Sequence, residues 1–151
     1  MPSAALDTPI GPLTVDAEDG VIWRLRWVDD PQGEVTPELA AAITQLREYF
    51  DGKRQRFDLP LGVRGSAFQR QVCDAMSAIP LGETRTYGDL AADLGVPAQA
   101  IGGACGGNPI PVIIPCHRVL GAAGLGVFLG MGGVETKVWL LKHERAGGLL
   151  I

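Results

Sequence analysis

The stretch that most limits the fold is "TYGDLAADLGVPAQAIGGACGG", residues 86–107. Thr86 followed three residues later by Asp89 is an N-terminal capping pattern, and "YGDLAADLG" reads as the short helix it starts. Gly95-Val96-Pro97 makes a tight connection into "AQAIGGACGG", so two short helices lie close together as a helix-turn-helix. The second helix is almost bare, because Ala98, Ala100, Gly102, Gly103, Ala104, Gly106 and Gly107 carry a methyl group or nothing. Each interior glycine costs a helix about 1 kcal/mol against alanine, so this helix implies close approach by another backbone.

Upstream, "GPLTVDAEDGVIWRLRWVDD" reads as two strands joined at Asp19-Gly20, a dipeptide suited to the positive φ angles of a tight hairpin. This hairpin is expected to open the protein. Thr36 is placed to cap a helix with Pro37 in its first position, and Leu39, Ile43, Leu46 and Phe50 recur at helical spacing up to Gly52. "RQRFDLPL" adds a short strand, and "GVRG" is a linker, which puts domains at 1–63 and 64–151. Ser66 and Gln69 form a second capping box, and Phe68, Val72, Met76 and Ile79 line the helix that Pro80 ends. A Gly-rich loop, "GAAGLGVFLGMGG", precedes a last amphipathic helix, "VETKVWLLKHERA".

A chain of 151 residues that is 46% hydrophobic buries one core, or one core and a small added layer. No apolar run approaches the roughly 20 residues that cross a bilayer, and "MPSAALDTPIGPL" lacks the regions of a secretory signal. The expectation is a cytoplasmic protein with no membrane partner. A net charge of -4 argues against holding nucleic acid mainly by a large basic surface, but not against a locally shaped site.

The three cysteines are odd in number and show no CxxC spacing, so reduced thiols are expected. Cys73 and Cys105 read as core residues. Cys116 differs because Pro115 restricts its backbone and His117 sets a proton acceptor beside it. From the pair alone, an activated thiolate and a buried structural thiol both stand. Zinc held by Cys105, Cys116, His117 and His143 fits no structural-site spacing, and no metal is expected. His143 and Glu144 read first as solvated residues of the last helix. A Cys, His and Glu set would supply nucleophile, base and orienter if that helix packs behind His117.

"NPIPVIIPCHRV", residues 108–119, resembles the active-site signature of the O6-alkylguanine-DNA alkyltransferases. The resemblance runs on through "GSAFQRQVCDAMSAIPLGETRTYGDLAADLG", "AIGGACGGNP" and "GGVETKVWLLKHE", essentially residues 65–146, and "TPIGPLTV" and "YFDG" resemble the family's N-terminal part. It implies an α+β protein with a small ribonuclease H-like antiparallel sheet and helix. A helical, winged-helix-like domain follows, whose helix-turn-helix enters the DNA minor groove. It implies a monomer with no cofactor whose partner is double-stranded DNA carrying O6-alkylguanine, with O4-methylthymine as a further substrate.

The family flips the lesion out and moves its alkyl group irreversibly to a cysteine. By that match Cys116 is the acceptor, His117 its water-mediated base, Glu144 the orienter of the histidine, and Asn108 a hinge between recognition helix and active site. Tyr87 contacts the lesion and helps its rotation, and the Val119 carbonyl accepts from guanine's exocyclic amine. Gln99, Ala100, Gly102, Pro111, Phe128 and Leu129 fall at lesion- or DNA-binding positions.

Two places depart from the pattern. Relatives carry "ARAVG" where this chain has "AQAIG", so Gln99 replaces an arginine that fills the gap left by the flipped base, and weaker duplex binding is expected. Relatives carry GGYSGG or GGFSG where this chain has "LGVFLGMGG", which puts Phe128 at the aromatic position and Leu129 at that of a serine touching the lesion oxygen. Leucine offers no side-chain donor there, so an altered substrate range is open. A lesion-binding module with little transfer and a small-molecule cysteine transferase or hydrolase are open as well.

Overall fold

The computed structural model describes residues 1–121 and 133–146. They belong to two units, Met1–Arg64 and Gly65–Ile151.

In the first unit the Asp19-Gly20 hairpin forms as the sequence predicts, with φ of 53° and 78° at the two turn residues. It joins β2 (Gly11–Glu18) to β3 (Val21–Arg26). The hairpin does not open the protein, however. β1 (Ser3–Thr8) precedes it and pairs antiparallel with β2, giving the order β1-β2-β3. Its "SAALDT" has little β-branched content, so the local sequence signals a strand weakly. Pairing with β2 and burial of Ala4 and Leu6 make it one.

α1 (Pro37–Phe50) covers one face of this sheet. Its buried stripe is Leu39, Ala42, Leu46 and Tyr49, whereas Ile43 and Phe50 are only half-buried. Both stripes satisfy a 3.6-residue period, and alanine at 42 hid the one that packs. Thr36 is the N-cap residue, yet its hydroxyl makes no capping bond. Residues 54–61 form no strand. Pro60 and Gly62 instead clasp Ile22 in a single bridge, through Ile22 N to Pro60 O at 2.8 Å and Gly62 N to Ile22 O at 2.9 Å. A Cβ at Gly62 would overlap the Trp23 ring, so any larger residue there displaces that side chain.

The second unit starts with α2 (Ala67–Ser77), capped by Ser66, whose hydroxyl accepts from Gln69 N at 3.0 Å. The box is only half made, since the Gln69 amide instead donates to Ala104 O at 2.8 Å. α3 (Tyr87–Leu94) has the full capping box of Thr86 and Asp89, and Gly95 ends it in the left-handed conformation at φ 67°. α4 (Ala98–Gly106) follows at once, completing the helix-turn-helix. Two short strands, β4 (Arg85–Thr86) and β5 (Val119–Leu120), pair in parallel, Arg85 with Val119 and Thr86 with Leu120. This ladder ties the first turn of α3 to the residues just after Cys116-His117. α5 (Val134–His143) closes the unit and turns Thr136, Lys137, Leu140 and Leu141 inward.

Candidate active site

The segment before Cys116 is not strand-like, despite three successive β-branched residues. Pro111 bridges Ile114, Ile114 N bonds to Ile110 O at 2.8 Å, and the chain folds back on itself before the 3₁₀ turn Cys116–Arg118. Asn108 braces this loop from inside. Its Nδ2 donates to Ile114 O at 2.8 Å while its Oδ1 accepts from Ile110 N at 3.0 Å. One side chain thereby bonds backbone groups at both ends of the loop, and Ile114 O accepts from Cys116 N as well.

Cys116 and His117 are both buried. His117 Nε2 lies 2.6 Å from Glu144 Oε2. Glu144 is the C-cap of α5 rather than a solvated helix carboxylate, and it too is buried. A carboxylate at a helix C-terminus meets an unfavourable dipole, so it needs cations. Arg118 supplies one, donating from Nε to Oε1 at 2.8 Å and from a terminal nitrogen to Oε2 at 3.1 Å, while its other terminal nitrogen bonds Ile79 O at 2.6 Å.

Burial opposes the Glu144 charge, but the hydrogen bonds and charges of His117 and Arg118 outweigh it and bring the carboxyl to about 2. Burial holds the His117 imidazole below its ordinary value against the pull of Glu144, so it is neutral near pH 7. A neutral imidazole facing an ionised carboxylate must carry its proton on Nε2. Nδ1 is then a bare acceptor, and it is buried with no hydrogen-bond partner.

Burial also pushes the Cys116 thiol up, opposed by a hydrogen bond from the Asn108 side chain and by the charge of Lys137. The resting residue is therefore a thiol, in surroundings that hold groups favouring the thiolate. Cys105 is pushed up to about 12 by burial, with Cys116 nearby adding to it, and its Sγ sits 3.5 Å from Met76 Sδ. Cys73 is raised by burial as well. These two are core thiols.

Lys137 and Arg118 stand at the candidate site although the sequence reading assigns neither a role. The Lys137 side chain is fully buried, its Nζ donates to Val119 O at 2.7 Å, and it stands 5.9 Å from the Tyr87 ring centroid. A signal existed in its spacing: residues 137, 140, 141 and 144 form one helical stripe, so a lysine there occupies a core position. Arg118 lies within PCHRV but has no role until Glu144 is placed beside it.

Asn108 thus braces the loop that leads to Cys116, Glu144 holds His117, and Lys137 stands between the Val119 carbonyl and the Tyr87 ring, with Pro111 half-buried at the start of the loop. Gln99 is exposed on α4, with Ala100 and Gly102 half-buried beside it, and no hydrogen bond ties them to this group. Phe128 and Leu129 lie outside the described residues. Among the described residues no three His, Cys, Asp or Glu side chains come together to hold a metal ion. No described helix is long and apolar enough to cross a membrane.

Two family descriptions cover nearly the whole chain: 6-O-methylguanine DNA methyltransferase, ribonuclease-like domain, over residues 2–63, and the DNA binding domain of the same family over residues 67–146. The chain belongs to the 6-O-methylguanine DNA methyltransferase family. A methylated-DNA–protein-cysteine methyltransferase of Mycolicibacterium paratuberculosis is 45% identical to it over 149 residues, spanning 93% of this chain and 90% of that one. The constitutive methylated-DNA–protein-cysteine methyltransferase of Bacillus subtilis is 40% identical over 152 residues, with 92% of each chain covered. Among solved structures, Mycobacterium tuberculosis OGT in complex with DNA superposes with a TM-score of 0.83 at 41% identity, covering 95% of this chain and 92% of that one. The methyltransferase family fold is α+β, with a small antiparallel sheet and helix followed by a helical domain, as the resemblance implied.

Proposed function

We propose that this chain repairs alkylated DNA by moving the alkyl group of O6-methylguanine to Cys116 in a single turnover. The observation that carries the reading is the buried relay in which Glu144 fixes His117 with Nδ1 bare, beside Cys116 at the end of a loop that Asn108 braces.

In the reaction His117 Nδ1 takes the thiol proton, directly or through one water molecule. The Cys116 Sγ lone pair attacks the methyl carbon, the S–C bond forms, and the C–O6 bond breaks. Its electron pair stays with the guanine, which takes up a proton at N1 and returns to its normal form. Attack on an sp3 carbon needs a soft nucleophile, which thiolate is. The product is a thioether that thiol exchange cannot reverse, so each molecule acts once.

The base must leave the stack for in-line attack, at a cost of a few kcal/mol. Entry from the minor groove by α4 accounts for its small residues. A Cβ on Gly102 or Gly103 would meet no atom within 4 Å, so packing inside the chain does not require glycine there. A narrow groove filled by a helix does. In the same reading the protein acts as a monomer in the cytoplasm, on double-stranded DNA, without a cofactor.

The test is incubation with a duplex containing O6-methylguanine followed by peptide mass spectrometry. One methyl group on the Cys116 peptide, with one equivalent of lesion consumed, is expected. Duplex bound by unmodified protein would replace transfer with lesion recognition, and a methyl group on Cys73 or Cys105 would move the acceptor.

A further inference from the structure

The loop that delivers Cys116 holds a backbone conformation that valine rarely adopts. Val112 has φ +71° and is fully buried. Ile113 N donates to Pro111 O at 2.9 Å, closing a three-residue turn around Val112. Positive φ with this i to i+2 bond is the rare, strained hand of γ-turn. Three residues on, Cys116 N donates to Ile114 O at 2.8 Å around Pro115, whose φ of -81° and ψ of 67° make the common inverse γ-turn. Two γ-turns of opposite hand therefore stand in series, and the second ends on the nucleophile.

Glycine would take φ +71° without steric cost, but it would take other values as readily. A strained conformation at a β-branched residue persists only where its surroundings over-determine it. Here they do. Asn108 holds Ile110 and Ile114 on either side of Val112, Ile114 N is bonded to Ile110 O, and Val112 is buried, as are Ile110 and Ile114. Ile114, preceding Pro115, is further confined to extended backbone.

We propose that Val112 is a positioning residue for alkyl transfer: its buried side chain pins the strained γ-turn and so sets where the Cys116 sulfur stands. Transfer needs sulfur, carbon and oxygen in line, and a misplacement of about 1 Å can cost roughly a hundredfold in rate. The inference rests on the reading of Cys116 as acceptor.

The experiment is single-turnover methyl transfer from an O6-methylguanine duplex by the full chain and its Val112→Ala, Val112→Gly and Val112→Ile variants. Mass spectrometry locates the methyl group in each. The Ala and Gly variants are expected to lose at least tenfold in limiting rate constant, while the half-saturating duplex concentration stays within twofold and the end point stays at one methyl per protein. The Ile variant, which keeps a buried β-branched side chain, should lie within threefold of the parent.

A rate constant unchanged in Ala and Gly overturns the proposal. So does a lower end point at an unchanged rate constant, because that is loss of folded protein rather than of placement. If the parent's methyl group sits on another cysteine, it is the acceptor reading that fails, and the two failures are thereby told apart.

Discussion

Glu144 Oε2 stands 2.6 Å from His117 Nε2, and Arg118, the very next residue, grips the same carboxylate with two nitrogens. The carboxylate both orients the imidazole and neutralises a buried guanidinium, so removing its charge acts twice. Glu144→Gln is expected to slow methyl transfer at least tenfold, because the amide no longer fixes the His117 proton on Nε2. Leaving Arg118 buried and unpaired should also cost about 3–5 kcal/mol of stability. Rapid-quench transfer kinetics on folded protein check the first, and a parental rate would remove Glu144 from the relay.

The same carboxylate gives the protein an acid limb. A group held at about 2 in the fold against an ordinary value of 4.5 contributes stability that is complete above pH 4.5 and disappears as pH falls toward 2. The contribution is on the order of 3 kcal/mol. His117 adds to the trend earlier: the unfolded imidazole takes a proton below about 6.5 and the buried one resists, so stability already declines from there. Urea midpoints between pH 7 and pH 2.5 should fall for the parent, and the difference between the parent and Glu144→Gln should shrink below pH 4.5. A constant difference across that range would contradict the assignment.

Lys137 favours the Cys116 thiolate from a fully buried position, and burial holds its own ammonium below the usual lysine range. Lys137→Met keeps the length and removes the charge. The thiol should then be harder to ionise, moving the rising limb of the pH–rate profile to higher pH and slowing transfer at pH 7. Stability should hold or rise, since a buried lysine costs desolvation that methionine does not. An unmoved profile would leave Lys137 a purely structural residue.

On α4 the two glycines 102 and 103 face open space. Gly103→Ala should therefore stabilise the protein by up to about 1 kcal/mol, read as a rise in urea midpoint. Gly103→Leu should weaken binding to duplex DNA, measured by fluorescence anisotropy, at no loss of stability. Unchanged affinity in the leucine variant would mean that another face of the unit meets DNA.

Gln99 is exposed on the same helix and carries no charge. Gln99→Arg should tighten duplex binding and steepen the dependence of log affinity on log salt by about 1, the signature of one added phosphate contact. The same affinity and slope in both proteins would show that position 99 does not approach the backbone of DNA.

What the sequence alone determined was whatever depends on a few neighbouring residues. Asp19-Gly20 specified a hairpin because few dipeptides accept positive φ twice. Thr86 with Asp89 specified a helix start because both capping bonds are made within four residues. The PCHRV context pointed to a family because its residue types and spacing rarely occur together. Tertiary structure decided the rest. β1 exists because β2 offers it a pairing edge, the α1 stripe is chosen by what the sheet accepts, and residues 54–61 remain irregular. Three β-branched residues before Cys116 carry strand propensity, yet the Asn108 bonds, two prolines and complete burial of Val112 fold them into consecutive γ-turns. Local preference amounts to tenths of a kcal/mol per residue, whereas leaving one buried polar group unpaired costs about 1–3. The bonds across the loop therefore prevail, and with them the place of Cys116.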